Sequence, residues 1–214
     1  MSELPPPLLS NLAIALSYLL GSTPWGLVLV RVFKGVDVRK VGSGNIGATN
    51  AARAGGRGLG LAVFVLDFAK GWVAVACISK LAPDSVWIQI ACGTAAVLGH
   101  CFPMWLRFKG GKGVSTLCGA VVASEWRVFL CGGVVWLVVL AVTRYVGLAS
   151  FAMCLALPIA AWWLLRDAGF WLTLGLAALA LLILTRHRSN MARMLAGTEP
   201  KFGAKRAGGD AKRG

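Results

Sequence analysis

Acidic side chains are scarce in this sequence: 8 Asp and Glu stand against 22 Lys and Arg in 214 residues, a formal net charge of +14. Charge of either sign is thin, at 14% of residues against 57% apolar, where soluble chains carry roughly 25% charged residues. So little polar surface cannot cover a water-soluble globule, and the chain is expected in a membrane. In a soluble protein the basic excess would suggest nucleic acid. Here the cations fall between apolar runs, where orientation in the bilayer and anionic ligands account for them, so nucleic-acid binding is excluded. Carboxylates are too few beside the polar motifs to hold a metal, and no metal or other cofactor is expected. CxxC spacing is also absent. Cys77, Cys92, Cys101, Cys118, Cys131 and Cys154 are scattered singly through apolar stretches and read as small buried hydrophobes. The opening MSELPPPLLS lacks the basic flank of a signal peptide, so the first apolar run is expected to stay as a span.

What is plentiful is apolar sequence in long runs. Seven segments emerge, Leu8–Val30, Leu59–Ser79, Val86–Leu106, Val114–Ser124, Val128–Thr143, Val146–Leu165 and Ala168–Thr185. Most approach the roughly 20 residues a helix needs to cross a hydrocarbon core. An all-α polytopic bundle of about seven transmembrane helices is expected, as one membrane domain over residues 1–200 with a flexible basic tail over 201–214. The fourth and fifth segments are short. They are either tilted, set beside a thinned region, or arms of a re-entrant hairpin turning at Glu125-Trp126-Arg127. Alternate connections differ sharply in basic residues, 18 on one side against Lys80, Arg127 and Arg166 on the other. The positive-inside rule then puts the N-terminus outside and the C-terminus in the cytoplasm.

Three polar segments interrupt the apolar pattern, all on the side expected to be cytoplasmic. Gly42-Ser-Gly-Asn-Ile-Gly-Ala-Thr-Asn50, followed by Arg53, interleaves glycines with Ser43, Asn45, Thr49 and Asn50. Such a backbone folds tightly and aims N–H groups and hydroxyls at an oxyanion. It contains G-x-G-x-x-G with Asp67 twenty positions past the last glycine, but the dinucleotide fingerprint requires a soluble βαβ unit and this acid lies inside a span. The second segment, Phe108-Lys-Gly-Gly-Lys-Gly-Val-Ser-Thr116, places ammonium groups just before a helix, where anions are favoured. Gly113 follows Lys112, so it is not a Walker A loop and nucleotide hydrolysis is not indicated. In the third, Arg186-His-Arg-Ser-Asn190, His187 and Asn190 are i, i+3 and share a helix face. Asp67 and Lys70, one turn apart inside the second span, read as a structural pair that positions the first loop.

Together GSGNIGATN, GHCFPMWLRFKGGKG and RHRSNMARMLAGTE resemble the signature segments of the bacterial acyl-phosphate-dependent glycerol-3-phosphate acyltransferases, the PlsY family. The resemblance runs from about Gly42 to Glu199 and takes in Asp67-Phe-Ala-Lys70-Gly71 and Thr143-Arg-Tyr145. It implies an inner-membrane enzyme moving a fatty acyl group from acyl phosphate to the 1-hydroxyl of glycerol 3-phosphate. The products would be lysophosphatidic acid and phosphate, in phospholipid synthesis. On the resemblance, Ser43, Gly44, Asn45, Thr49 and Asn50 hold the donor phosphate. Arg53 with the catalytic set Lys112, His187 and Asn190 holds the acceptor, and Ser150 is the candidate acceptor serine, with glycine at 147 where another serine is expected. Neither His100 nor His187 is followed by an acid at the fifth position, so the His-x4-Asp pattern of another acyltransferase class is missing. No covalent acyl-enzyme is needed, because phosphate is already a good leaving group and positioning with charge stabilisation can carry the reaction. The competing reading is a transporter or binding protein for an organic phosphate. Such transporters show repeat symmetry and midplane sites, whereas these motifs cluster on one face.

Overall fold

The computed structural model describes residues 5–203, and among these all regular structure is helical: α1 (Pro6–Gly21), α2 (Trp25–Lys34), α3 (Ala48–Gly55), α4 (Arg57–Ala76), α5 (Val86–Cys101), α6 (Val114–Thr143), α7 (Val146–Leu165), α8 (Phe170–Arg186) and α9 (Arg188–Leu195). In hydrocarbon a chain must satisfy its own backbone, and long apolar runs do so as helices. Five units are long and apolar enough to cross a membrane, and the α8–α9 pair, bent by 50° at His187, makes a sixth if taken as one span. The expected count of seven is therefore approximate. Most of the expected tail, residues 204–214, lies outside the described residues.

The first expected span is two helices. Gly21-Ser22-Thr23-Pro24 interrupts it, because proline lacks an N–H and clashes with the preceding turn, so α1 ends at Gly21 and α2 resumes at Trp25. The carbonyls at the break are satisfied from another helix: Lys70 Nζ on α4 donates to Gly21 O at 2.9 Å and Thr23 O at 3.0 Å. The same ammonium pairs with Asp67 Oδ1 at 2.9 Å and meets His100 Nδ1 at 3.1 Å. All three side chains are buried. The pair thus ties the broken first span to α4 and α5, which corrects the expectation that it positions the Gly42–Asn50 loop.

Helix α6 is folded back on itself. A straight helix of its 30 residues would be about 45 Å long, yet residues just before and just after it meet at one place. Lys112 hydrogen-bonds Asn190 Oδ1, and a Cβ on Gly147 would stand 2.8 Å from Asn190 Nδ2. The fold occurs at Glu125, whose φ of −156° and ψ of 93° leave the helical region, and Arg127 clasps the Glu125 carboxylate at the turn. Residues 114–143 therefore enter and leave from the same side, as both a pair of short spans and a re-entrant hairpin require, with a first arm only about 16 Å long.

Glycines let the helices around this hairpin approach closely. A Cβ on Gly71 would collide with the Thr116 carbonyl and one on Gly119 with the Phe68 carbonyl, so α4 and the first arm of α6 pack backbone to backbone. Val97, Leu117, Val128, Met153, Leu157 and Ile183 form the main core between α5, α6, α7 and α8. The outer surface is apolar as well, with Leu61, Val138, Val142, Ile159 and Leu181 all exposed, as a lipid-facing surface requires. This packing brings the loop before α3, the linker before α6 and the α8–α9 bend to one end of the bundle.

Candidate active site

The first motif folds around one carboxamide. Gly42 and Gly44 take φ of 56° and 70°, conformations open to glycine, and the turn they make closes over Asn50. Asn50 Oδ1 accepts from Ser43 N at 2.9 Å, and Asn50 Nδ2 faces the carbonyls of Val38, Val41 and Asn45 at 2.8–2.9 Å. Two N–H groups among three carbonyls leave no donor over. Asn50 is thus the hub that shapes the loop, while Ser43, Gly44 and Thr49 stay exposed at its rim. Gly47 opens α3, whose free first-turn N–H groups lie along the same cavity at Ala48 and Thr49, one turn before Arg53.

Lys112 sits in the linker Gly110–Gly113 that opens α6. Its ammonium donates to Asn190 Oδ1, and Asn190 Nδ2 donates to Glu199 Oε1 at 2.7 Å. Glu199 Oε2 in turn accepts from Arg193 Nε at 2.6 Å. This carboxylate, 6% exposed, fixes which way the Asn190 amide faces. Sequence reasoning passed over it as a site residue, although it is one of only eight acids and lies inside the third motif. Burial, with Arg193, Arg53 and Arg186 nearby, lowers the Lys112 ammonium to about 8 against the opposing pull of Glu199.

His187 occupies the bend between α8 and α9, just past the last span. Its Nδ1 lies 2.9 Å from the Ile183 carbonyl. A carbonyl only accepts, so Nδ1 carries the proton and Nε2 is left with its lone pair. Burial and the Lys112 charge depress the imidazole to about 4, so it is neutral at physiological pH and offers an acceptor rather than a charge. Ser150 Oγ, on α7, accepts from Trp136 Nε1 at 3.3 Å. The α7 position that abuts Asn190 is Gly147, so the chain carries no hydroxyl there.

These groups surround two cavities that share a wall. The larger, ≈ 460 Å³, has a polar head at Asn45, Thr49, Asn50, Arg53, Lys112, His187, Asn190 and Glu199, beside Ser150, and runs into an apolar arm along Phe64, Phe129, Leu130, Val134, Trp136, Leu137 and Met153. The smaller, ≈ 220 Å³, is lined by Ser43, Gly44, Asn45, Lys112, Thr185, Arg186, Arg188 and Ser189. Ser43, Asn45 and Lys112 face both. Helices α3, α6 and α9 present their N-termini here, each favourable to an anion. Every residue proposed from sequence lines one cavity or both, with Gly44 on the smaller alone. Among the described residues no three His, Cys, Asp or Glu side chains converge as a metal set would. Space for two anionic groups, one of them continuous with a greasy slot, is what the arrangement offers.

Comparison with known proteins agrees with this chemistry. The profile of a family described as glycerol-3-phosphate acyltransferase matches residues 11–197. A glycerol-3-phosphate acyltransferase from Rhodospirillum rubrum is 46% identical over 212 residues, covering 96% of this chain and 97% of its own. One from Mesorhizobium japonicum is 44% identical over 195 residues, covering 91% and 96%. Two crystal structures of PlsY, an integral membrane glycerol 3-phosphate acyltransferase, superpose on the fold. The glycerol 3-phosphate form gives a TM-score of 0.84 at 39% identity, covering 91% of this chain and 96% of that one. The lysophosphatidic acid form gives 0.82 at 38%, covering 91% and 95%.

Proposed function

The chain belongs to the glycerol-3-phosphate acyltransferase family and is a membrane-embedded acyltransferase of bacterial type; from that premise we propose that acyl phosphate is its donor and that the two joined cavities are its active site. The observation that carries this reading is the convergence of the α3 and α6 N-termini and the Lys112 cation on the polar head of an apolar slot, with the α9 N-terminus on the adjoining smaller cavity. In the PlsY structures one form holds glycerol 3-phosphate and the other lysophosphatidic acid, an acceptor and a product that such a head and slot would suit.

The donor's chain lies in the apolar arm and its phosphate against the Ser43–Asn45 loop. Arg53, Lys112 and Asn190 hold the acceptor's phosphate, and the neutral His187 accepts a hydrogen bond from the attacking 1-hydroxyl at Nε2. The hydroxyl oxygen bonds to the acyl carbon and the acyl–phosphate bond breaks. The proton passes through His187 Nε2 to the departing phosphate, which leaves as hydrogen phosphate, so the imidazole ends neutral. No cofactor takes part. Lys112, facing both cavities, neutralises charge on either phosphate as it develops, the kind of fixed stabilisation that lowers a barrier most.

Donor choice tests the reading. A thioester presents no phosphate at the reacting carbon for Ser43–Asn45 to hold, so the purified protein should release phosphate from acyl phosphate only when glycerol 3-phosphate is present and should not turn over acyl-CoA. Equal rates with both donors would contradict it. A transporter would show no chemical turnover at all. Orientation is tested separately: the basic asymmetry puts Asn50, Lys112 and His187 in the cytoplasm and residues 80–85 outside. Single cysteines at 50, 112 and 187, in a chain freed of its own cysteines, should resist impermeant reagents in intact cells, and ready labelling at 112 would reverse the topology.

A further inference from the structure

Lys112 owes its position to a backbone held from both sides. Below it, Gly110 N donates to Cys101 O at 3.1 Å and Gly111 N to His100 O at 3.0 Å. There is no room for a side chain at either glycine: a Cβ on Gly110 would strike the His100 carbonyl and Pro103, and one on Gly111 the His100 imidazole. Above it lies Arg186. Its Nε donates to Gly111 O at 3.1 Å, and its Nη2 to Gly110 O and Gly111 O, both at 2.9 Å. The guanidinium carbon stands 5.2 Å from the centroid of the Phe102 ring, within cation–π range.

We infer that Arg186 is a positioning residue, whose planar fork clamps the Gly110–Gly111 carbonyls and so sets where the Lys112 ammonium stands. Arg186 and Asn190 are i, i+4 across the α8–α9 bend. One turn of chain thus holds both ends of the same lysine, its backbone through Arg186 and its ammonium through Asn190. Asn190 is held by Glu199 in turn, so the lysine is fixed by two independent anchors. The Nε–Nη2 edge of Arg186, the edge best suited to a bidentate phosphate contact, is occupied by carbonyls. A lysine at 186 would keep the charge but could not reproduce the fork.

The inference rests on the reading of Lys112 as a ligand of the acceptor phosphate, and the experiment separates the two. Full-length Arg186→Lys, Lys112→Ala and the double variant are purified in detergent, checked for intact fold by elution and thermal unfolding, and assayed with each substrate varied. Arg186→Lys should raise the KM for glycerol 3-phosphate about tenfold and the KM for acyl phosphate by less, because Lys112 faces both cavities. The double variant should be no worse than Lys112→Ala alone, within about threefold, because both changes disable one group. Where the lysine variant does not accumulate, Arg186→Gln, which keeps one amide donor group but no fork, carries the same expectation. Unaltered acceptor KM in Arg186→Lys, or losses that multiply in the double variant, would overturn the positioning role. If Lys112→Ala itself leaves acceptor efficiency unchanged, the reading of Lys112 fails instead.

Discussion

Lys70→Met should lower the stability of the protein more than any change at the polar loops, by about 3–5 kcal/mol, the usual consequence of removing one partner of a buried ion pair. The substitution keeps the length of the side chain and removes its charge. Asp67 is then left as a buried carboxylate without its cation, and the Gly21 and Thr23 carbonyls lose the donor that joins the broken first span to α4. Unlike a surface lysine, Lys70 has no water to take its place, at 2% exposed. The measurement is the thermal midpoint in detergent, and a drop of roughly 10 °C is expected. Replacing both partners, as Asp67→Asn with Lys70→Met, should recover part of the loss, since no lone charge remains. A midpoint unchanged in Lys70→Met would mean that the pair is incidental to the fold.

The second large effect is catalytic. A charge-assisted hydrogen bond from Lys112 to phosphate in a half-shielded site contributes about 1.5–3 kcal/mol, so Lys112→Ala should lower kcat/KM for glycerol 3-phosphate by about ten- to a hundredfold. Arg53→Ala should do likewise. Lys40→Ala and Lys109→Ala remove the same charge from exposed positions on the same face of the bundle and should stay near wild type. Equal loss in all four would mean that the cations act only through general surface charge. The pH profile gives a second handle. Lys112 is held at about 8 and binds an anion only as the protonated ammonium, so kcat/KM in the free enzyme should be retained below that value and fall as pH rises through it. That descending limb should vanish in Lys112→Ala.

How much of this was legible in the sequence depends on the range of each contact. The convergence of the three motifs was legible because Ser43, Asn45, Lys112, His187 and Asn190 stand in otherwise apolar sequence, where each polar group must be accounted for. The break at Gly21–Pro24 was visible as a proline but lay hidden inside a run otherwise long enough to span. The Glu125 turn was one of several readings of two short segments. The backbone at Glu125, outside the helical region, shows where the chain reverses, and the contacts of 112 and 147 with one asparagine show that its two ends lie together. Asp67 was legible as a partner of Lys70, but its other partners include carbonyls 49 and 47 positions away, and carbonyls leave no trace in a sequence. For the same reason Arg186 read as one more boundary cation rather than a clamp, and Asn50 as a phosphate ligand rather than the hub of its loop.

The apolar arm of the larger cavity includes Leu130, Val134 and Leu137, which are 52%, 59% and 61% exposed on the flank of α6. That flank faces the bilayer, so the slot is a gutter open along its side and not a closed tube. An acyl chain entering it leaves hydrocarbon for hydrocarbon. Each further methylene therefore adds almost none of the ~0.8 kcal/mol it would add on leaving water. Such a gutter grips the reacting head firmly and the chain loosely. Assays with acyl phosphates of different chain length should therefore show little discrimination among them, and an acylated product held there would leave sideways into the leaflet without crossing water.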